Sequence, residues 1–183
     1  MTTAEARALT TTEAEDLQDH FRRYRWTTLL FLDLLSEEQL LWRPRPNAFN
    51  CGQLLLHILS SEGLYMDGLF KDQWDFERMR FPKPQPDGPA IRAQLVASGE
   101  STLKVLSTLT EGQLSRVVRP PRSPMEYSLR SWLWFLLEHE IHHKGQLSEH
   151  VRQLGLVPPF MPGQLPLGKR PDIAWREGEL GGV

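Results

Sequence analysis

Three histidines lie close together in the last third of the chain, at His139, His142 and His143. His139 and His143 are four residues apart, so on a helix their imidazoles share one face, about one turn apart. Two imidazoles in this arrangement can bind one divalent metal ion. His142 is rotated by about 100° from His143 and falls off that face. With Glu140, the run also reads H-E-x-x-H, the pattern of zinc metalloproteases.

The residues that follow this run argue against a protease. In the metzincin pattern a glycine follows the first histidine by about seven residues, and a third histidine follows three residues later. Gly145 comes one residue too early for that pattern, and His150 comes one residue too late. The apolar pattern also continues past Gly145 to Leu154, which indicates an unbroken helix. We therefore exclude a zincin-type protease.

Two histidines make an incomplete site, because catalytic zinc sites use three protein ligands and leave a position for water. His57 is the candidate third ligand, since it is the only ionisable residue in an apolar run over residues 54–59. A buried neutral imidazole needs a partner on each nitrogen, and a metal can supply one. The residues alone leave a second interpretation open: His57 as a core histidine bonded to a carbonyl, and the pair on the later helix as chance spacing.

Four segments with helical periodicity surround these histidines, at about residues 13–35, 51–70, 90–109 and 128–154. Ser36 and Asn50 are candidate N-caps, and Gly155 is a candidate C-terminal glycine. Proline-rich stretches separate the segments, and no period of two indicates a strand. We predict an all-α, four-helix bundle in one domain over residues 1–183. Its helical core would cover 13–155, followed by an irregular, proline-rich tail over 156–183.

The composition excludes several classes of protein. The chain has 183 residues, 40% hydrophobic and 24% charged, with a net charge of −2, so no basic surface invites nucleic acid. No apolar run reaches the roughly 18 residues needed to cross a bilayer, and the first residues lack the apolar core of a signal peptide. The single cysteine, Cys51, excludes an internal disulfide. We expect a cytoplasmic protein without membrane or nucleic-acid contacts.

Several segments together resemble the DinB/YfiT-like metalloprotein superfamily. Residues 136–147, with Leu154, Gly155, Pro158 and Pro159 after them, resemble its last helix. Its first link and second helix resemble residues 36–40, Arg43 with Pro44, and residues 53–58. The resemblance extends over most of residues 15–160.

The resemblance implies a four-helix bundle that binds one divalent transition metal through His57, His139 and His143. A set of three histidines favours Zn²⁺ or Ni²⁺, with Fe²⁺ or Mn²⁺ as further candidates, over Mg²⁺ or Ca²⁺. It also implies a homodimer and a metal-dependent enzyme, either a hydrolase or a transferase that uses bacillithiol, mycothiol or glutathione. A link to stress or DNA damage is a further implication. The alternative is a non-catalytic, stress-inducible protein that binds a metal or a small ligand.

The spacing of other residues near the histidines allows more than one interpretation. Glu140 is a candidate catalytic residue, but it points away from the ligand face, so a solvated or inter-helix carboxylate is the competing interpretation. Gln146 follows His143 by three residues and could hydrogen-bond a ligand or a neighbour. Glu62 lies off the face of His57. Cys51 is expected to be a small buried residue.

Two further groups of side chains are assigned to packing or solvent. Trp132, Trp134 and Phe135 are expected in the core or in a dimer interface rather than around a substrate. Arg22, Arg23 and Arg25 are expected to form a solvated face of the first helix.

Overall fold

A computed structural model describes residues 12–121 and 123–159, so the predictions for the first residues and for most of the C-terminal tail lie outside the described ranges. Six α-helices, one 3₁₀ helix and two short strands occur there. In chain order they are α1 (Glu13–Leu34), α2 (Glu37–Leu41), α3 (Cys51–Lys71), the 3₁₀ helix (Phe76–Met79), α4 (Gly88–Leu106), α5 (Glu111–Leu114), β1 (Val117–Val118), β2 (Tyr127–Ser128) and α6 (Leu129–Gln153).

The helices begin where side chains can satisfy free backbone amides. Ser36 and Asn50 each form a capping box, with Gln39 and Gln53 as their respective partners, so both predicted N-caps are confirmed. Gly155 has a φ of 75°, the left-handed conformation that glycine adopts most easily. The bounds of the four long helices agree with the predicted ones to within three residues. Local capping residues therefore set where these helices begin and end.

The four long helices, α1, α3, α4 and α6, form the bundle. Helix α1 packs on α4 and α6, and α3 packs on the same two helices, so α1 and α3 are diagonal to each other. The predicted all-α four-helix bundle is confirmed. Helices α3 and α6 are neighbours and run antiparallel, because Cys51 lies near His150 while Tyr65 lies near Trp132. None of the described helices is long and apolar enough to cross a membrane.

One strand pair departs from the sequence prediction. Strands β1 and β2 pair antiparallel, with Val117 opposite Ser128 and Val118 opposite Tyr127. Each strand has only two residues, so neither can show an alternating pattern that periodicity would detect. The pair joins the link before α6 to the start of that helix.

The prediction that Arg25 is solvated is wrong. Its side chain is 0% exposed and lies between α1, α3, α4 and α6. Arg25 comes four residues after Phe21 and four before Leu29, both of which are buried. It therefore belongs to the apolar stripe, where the tertiary structure supplies the carboxylates that a buried guanidinium needs.

Candidate metal centre

The three predicted histidine ligands meet on the facing sides of α3 and α6. His57 comes from α3, and His139 and His143 come from successive turns of α6. The centroid of the His57 ring is 5.1 Å from that of His139 and 4.5 Å from that of His143. The rings of His139 and His143 are 4.4 Å apart. One nitrogen from each ring lies within 4.8 Å of the other two, which is close enough for one ion to contact all three.

The positions of the histidines along α3 and α6 bring their rings together. Asn50 starts α3, which puts His57 about two turns into the helix. On α6, His143 shares its buried face with Leu136 and Leu147. Because α3 and α6 are antiparallel neighbours, the second turn of one faces the middle of the other.

All three imidazoles are held neutral. Burial, together with the nearby His143, lowers the pKa of His57 to about 4. Burial and the other histidines lower the pKa of His139 to about 4. Burial also lowers the pKa of His143. Near pH 7 the rings therefore keep free lone pairs, the form that binds metal.

The hydrogen bonds around His143 fix which nitrogen is free. Oε1 of Gln146 lies 2.9 Å from Nδ1 of His143. A carbonyl oxygen can only accept, so Nδ1 carries the proton and Nε2 is left with its lone pair. That Nε2 lies 3.1 Å from Nε2 of His139, inside the group of three rings. Gln146 thus orients a ligand, as the partners of metal-binding histidines commonly do.

The ligand group fits a divalent transition metal. Within the described ranges it consists of imidazoles alone, a donor set that suits zinc, nickel or iron and not the oxygen-seeking Mg²⁺ or Ca²⁺. Nδ1 of His139 is buried and has no hydrogen-bond partner among the described residues. Nε2 of His139 and Nε2 of His143 are 3.1 Å apart, so at most one of them can donate to the other, whereas a cation among the three rings would accept a lone pair from each.

A cleft of about 670 Å³ opens beside these rings, and we call it the polar cleft. His143 and Gln146 line its inner side. Its other polar lining side chains are Arg45, Asn47, Glu149, His150 and Gln153. The volume falls within the range of about 300–1,000 Å³ that is usual for small-molecule sites. His143 is therefore accessible to a small molecule in this cleft.

Glu140 lies outside the ligand group, on a different side of α6. Its carboxylate accepts hydrogen bonds from Thr28 and from Arg25, the latter at 3.3 Å. Burial raises the pKa of the Glu140 carboxyl, but the cations of Arg25 and Lys144 outweigh that effect, and the pKa is lowered overall. The structure thus places Glu140 between helices rather than in the polar cleft.

Arg25 also connects Glu140 to α3 and α4. Its guanidinium lies 2.7 Å from the carboxylate of Glu62, which also accepts hydrogen bonds from Ser98 and Thr102. Lys144 is buried beside this group, and its ammonium donates to the backbone oxygen of Tyr24 at 2.9 Å. Burial lowers the pKa of Lys144 to about 8. We call Arg25, Glu62, Glu140 and Lys144 the buried ionic network.

The sequence prediction missed this network, although a signal for it was present. Each member lies on an apolar helical stripe: Glu62 follows Ile58 by four residues, and Lys144 precedes Leu147 by three. Charged residues at such positions indicate burial with a partner. Cys51 is buried as predicted, and burial raises the pKa of its thiol to about 11.

The sequence matches the family model described as the DinB superfamily over residues 20–147, more than two thirds of the chain. A protein of Bacillus subtilis (strain 168), uncharacterized protein YjoA, is 25% identical over 144 residues, which covers 78% of this chain and 92% of that protein.

Solved structures show the same fold. The crystal structure of the DinB-like protein YjoA from Bacillus subtilis is 26% identical, with a TM-score of 0.64, and covers 79% of this chain and 96% of the other. A DinB-like protein from Bacillus cereus is 21% identical, with a TM-score of 0.66, over 80% and 96% of the two chains. YfiT from Bacillus subtilis, described as a probable metal-dependent hydrolase with an unusual four-helix bundle topology, is 18% identical, with a TM-score of 0.66, over 78% and 88%.

Proposed function

The chain belongs to the DinB superfamily, and on that premise we propose that it is a metal-dependent enzyme whose single divalent transition metal is held by His57, His139 and His143. The reaction is a hydrolysis or a transfer from a low-molecular-weight thiol. The observation that carries the proposal is a group of three clustered imidazoles, one of which, His143, lies at the wall of an open cleft. A sealed group would favour a purely structural metal.

Three protein ligands leave coordination positions free, as in catalytic zinc sites. A divalent metal held there supplies Lewis acidity, which lowers the pKa of a thiol or a water that binds to it. The remaining work falls to side chains of the polar cleft. Arg45 and Asn47 are placed to bind carboxylate or amide groups of a small polar molecule, and Gln146 holds His143 in the tautomer that leaves Nε2 free.

Among the described residues, the carboxylate that lines this cleft is Glu149, which also accepts a hydrogen bond from Gln153 at 3.2 Å, and not Glu140. Glu149 lines the polar cleft, whereas Glu140 is occupied by Arg25 and Thr28. In a hydrolytic reaction Glu149 would accept the proton of the attacking water. In thiol transfer, the size and polar lining of the cleft suit a peptide-linked or sugar-linked thiol.

Metal content tests the three ligands directly. We expect about one metal ion per purified chain by elemental mass spectrometry, and its loss in His57→Ala because two imidazoles hold an ion too weakly to survive purification. His20→Ala is the matched control, since His20 lies on α1 outside the ligand group. Full metal occupancy in His57→Ala would show that the assignment is wrong.

Activity tests the catalytic part of the proposal. The metal-loaded chain is incubated with glutathione, bacillithiol or mycothiol and a chlorodinitrobenzene electrophile, and separately with a nitrophenyl ester. We expect a rate in one of these assays that disappears on chelation and returns with added metal. Rates equal to those of His57→Ala in every assay would favour the non-catalytic alternative.

A further inference from the structure

A second cleft lies at the other end of the groove between α3 and α6. Its volume is about 340 Å³, and three prolines of the link before β2 form part of its wall. The side chains that matter for its chemistry are Leu64, Tyr65, Trp74, Phe76, Met125 and Trp132. We call this the aromatic cleft. Among the described residues, no charged side chain lines it.

A continuous row of rings joins the aromatic cleft to the metal ligands. Phe135 lies one turn before His139 on α6, and their ring centroids are 6.3 Å apart. On its other side Phe135 is 5.5 Å from Tyr65 and 5.8 Å from Trp132, both of which line the cleft. Phe135 is 37% exposed, whereas Trp132 is 1% exposed, so the row reaches the surface at Phe135. A molecule bound at His139 would have to lie over the Phe135 ring to reach the cleft.

The walls of the aromatic cleft offer mainly ring faces, and the hydroxyls of Tyr65 and Ser123 are its polar groups. Nε1 of Trp132 already donates to the backbone oxygen of Val118 at 3.0 Å. Nε1 of Trp74 donates to the carboxylate of Asp72 at 3.3 Å. With both indole donors engaged inside the protein, an occupant meets mainly apolar surface, which favours an uncharged ring system.

The position of Trp74 depends on a glycine. A Cβ atom at Gly68 would lie 2.5 Å from the Trp74 ring, so the indole packs directly on the backbone of α3.

The volume of the aromatic cleft sets the size of its occupant. An apolar cavity of about 150 Å³ can hold benzene. A cleft of about 340 Å³ therefore accommodates a group of one or two rings.

The two clefts differ in chemistry and lie on opposite sides of the candidate metal ligands: His143 lines the polar cleft, and Phe135 separates His139 from the aromatic cleft. Arg45, Asn47 and Glu149 make one side polar and charged, whereas the other side is aromatic. We propose that the aromatic cleft binds the ring-containing, apolar part of the substrate whose reacting group lies at His57, His139 and His143. This inference rests on the proposed function. The substrate is then an amphipathic molecule with an aryl or similarly apolar end. That end lies in the aromatic cleft, and the reacting group lies at the histidines.

The test measures binding of two thiol probes to the full chain loaded with Co²⁺. The probes are 3-phenylpropane-1-thiol and propane-1-thiol, which share the metal-binding group and differ by one phenyl ring. Absorption of the cobalt–thiolate chromophore gives both dissociation constants. Burial of the ring predicts about 10-fold tighter binding of the phenyl probe.

Substitutions at exposed positions of the cleft locate the preference. Phe76 is 48% exposed and Met125 is 43% exposed, so Phe76→Ser and Met125→Ser should remain folded. We expect each to reduce the preference for the phenyl probe to less than about 3-fold while leaving the affinity for propane-1-thiol unchanged. Leu41→Ser, on α2 and outside both clefts, is the matched control and should keep the full preference.

The outcomes separate this inference from the proposed function. If the chain binds no Co²⁺, the metal-binding proposal fails; if Co²⁺ binds but neither thiol perturbs its spectrum, the thiol-transfer part of the proposal fails, and in either case the inference falls with it. If both thiols bind equally, or if the preference survives both serine substitutions, the inference alone is overturned. A dimer in gel filtration that Phe76→Ser converts to a monomer would instead show that a second copy of the chain covers this cleft, and would also overturn it.

Discussion

Replacing Arg25 with methionine should destabilise the protein more than any exposed arginine substitution. Methionine retains most of the length and apolar volume of the side chain but removes the guanidinium. Two carboxylates, Glu62 and Glu140, then remain buried and lose their shared cation. Lys144 alone is left to offset them, and it lies on the Glu140 side of the network.

The size of the loss follows from what Arg25 contacts. Breaking a buried ion pair by removing one partner costs about 3–5 kcal/mol, because the other charge stays buried without compensation. Arg25 also donates to the backbone oxygen of Leu95, which would lose its partner. The loss is reduced because Nε of Arg25 has no hydrogen-bond partner among the described residues, so the buried guanidinium is not fully hydrogen-bonded in the native protein. We therefore expect a loss of about 3 kcal/mol, a large share of the roughly 5–15 kcal/mol that stabilises a typical domain.

Urea unfolding followed by circular dichroism measures this loss. It should be done on metal-free protein, because a bound metal adds stability through mass action. With a slope near 2 kcal/mol per molar urea, the midpoint should fall by about 1.5 M. Adding Glu62→Gln to the Arg25→Met chain should recover part of the loss, since it removes one unpaired charge.

An exposed ion pair supplies the control. Arg80 pairs with Glu77 at the surface, so Arg80→Met should change stability by less than about 1 kcal/mol. If Arg25→Met shifts the midpoint no more than Arg80→Met does, the reasoning about an uncompensated buried charge is refuted.

Two further predictions concern the metal centre. Gln146→Leu should weaken zinc binding by about 10-fold, because His143 loses the acceptor that holds its tautomer. The control Gln153→Leu should bind zinc with the native affinity. Competition with a chromophoric chelator measures the zinc affinity of each variant, and equal affinities would count against an orienting role for Gln146. Zinc affinity of the native chain should change little as the pH falls from 8 to about 6.5, the ordinary pKa of histidine, since burial lowers the pKa of all three ligands, that of His57 and His139 to about 4. A steep loss of affinity between pH 7 and pH 6 would show that the ligands titrate like exposed histidines.

The sequence by itself determined the helices and the candidate ligands. Helix periodicity and N-caps such as Asn50 are encoded by residues three or four positions apart, so the four long helices were predicted to within three residues. The ligand set rested on His57 in an apolar run, on the spacing of His139 and His143, and on the family resemblance. The two-residue strands were missed because they are too short to carry a periodic signal.

Only the tertiary structure decided what the charged and aromatic side chains do. Arg25 and Glu140 are 115 positions apart, and no local pattern states that they pair. The same holds for the aromatic cleft, whose walls come from α3, the 3₁₀ helix and the link before β2. Local sequence sets which face of a helix is buried, but the choice of partner across the core depends on how the helices pack. For that reason the residues of the run His139-Glu140-Ile141-His142-His143 have different roles. His139 and His143 face His57 on α3, and His143 also lines the polar cleft, while Glu140 faces Arg25.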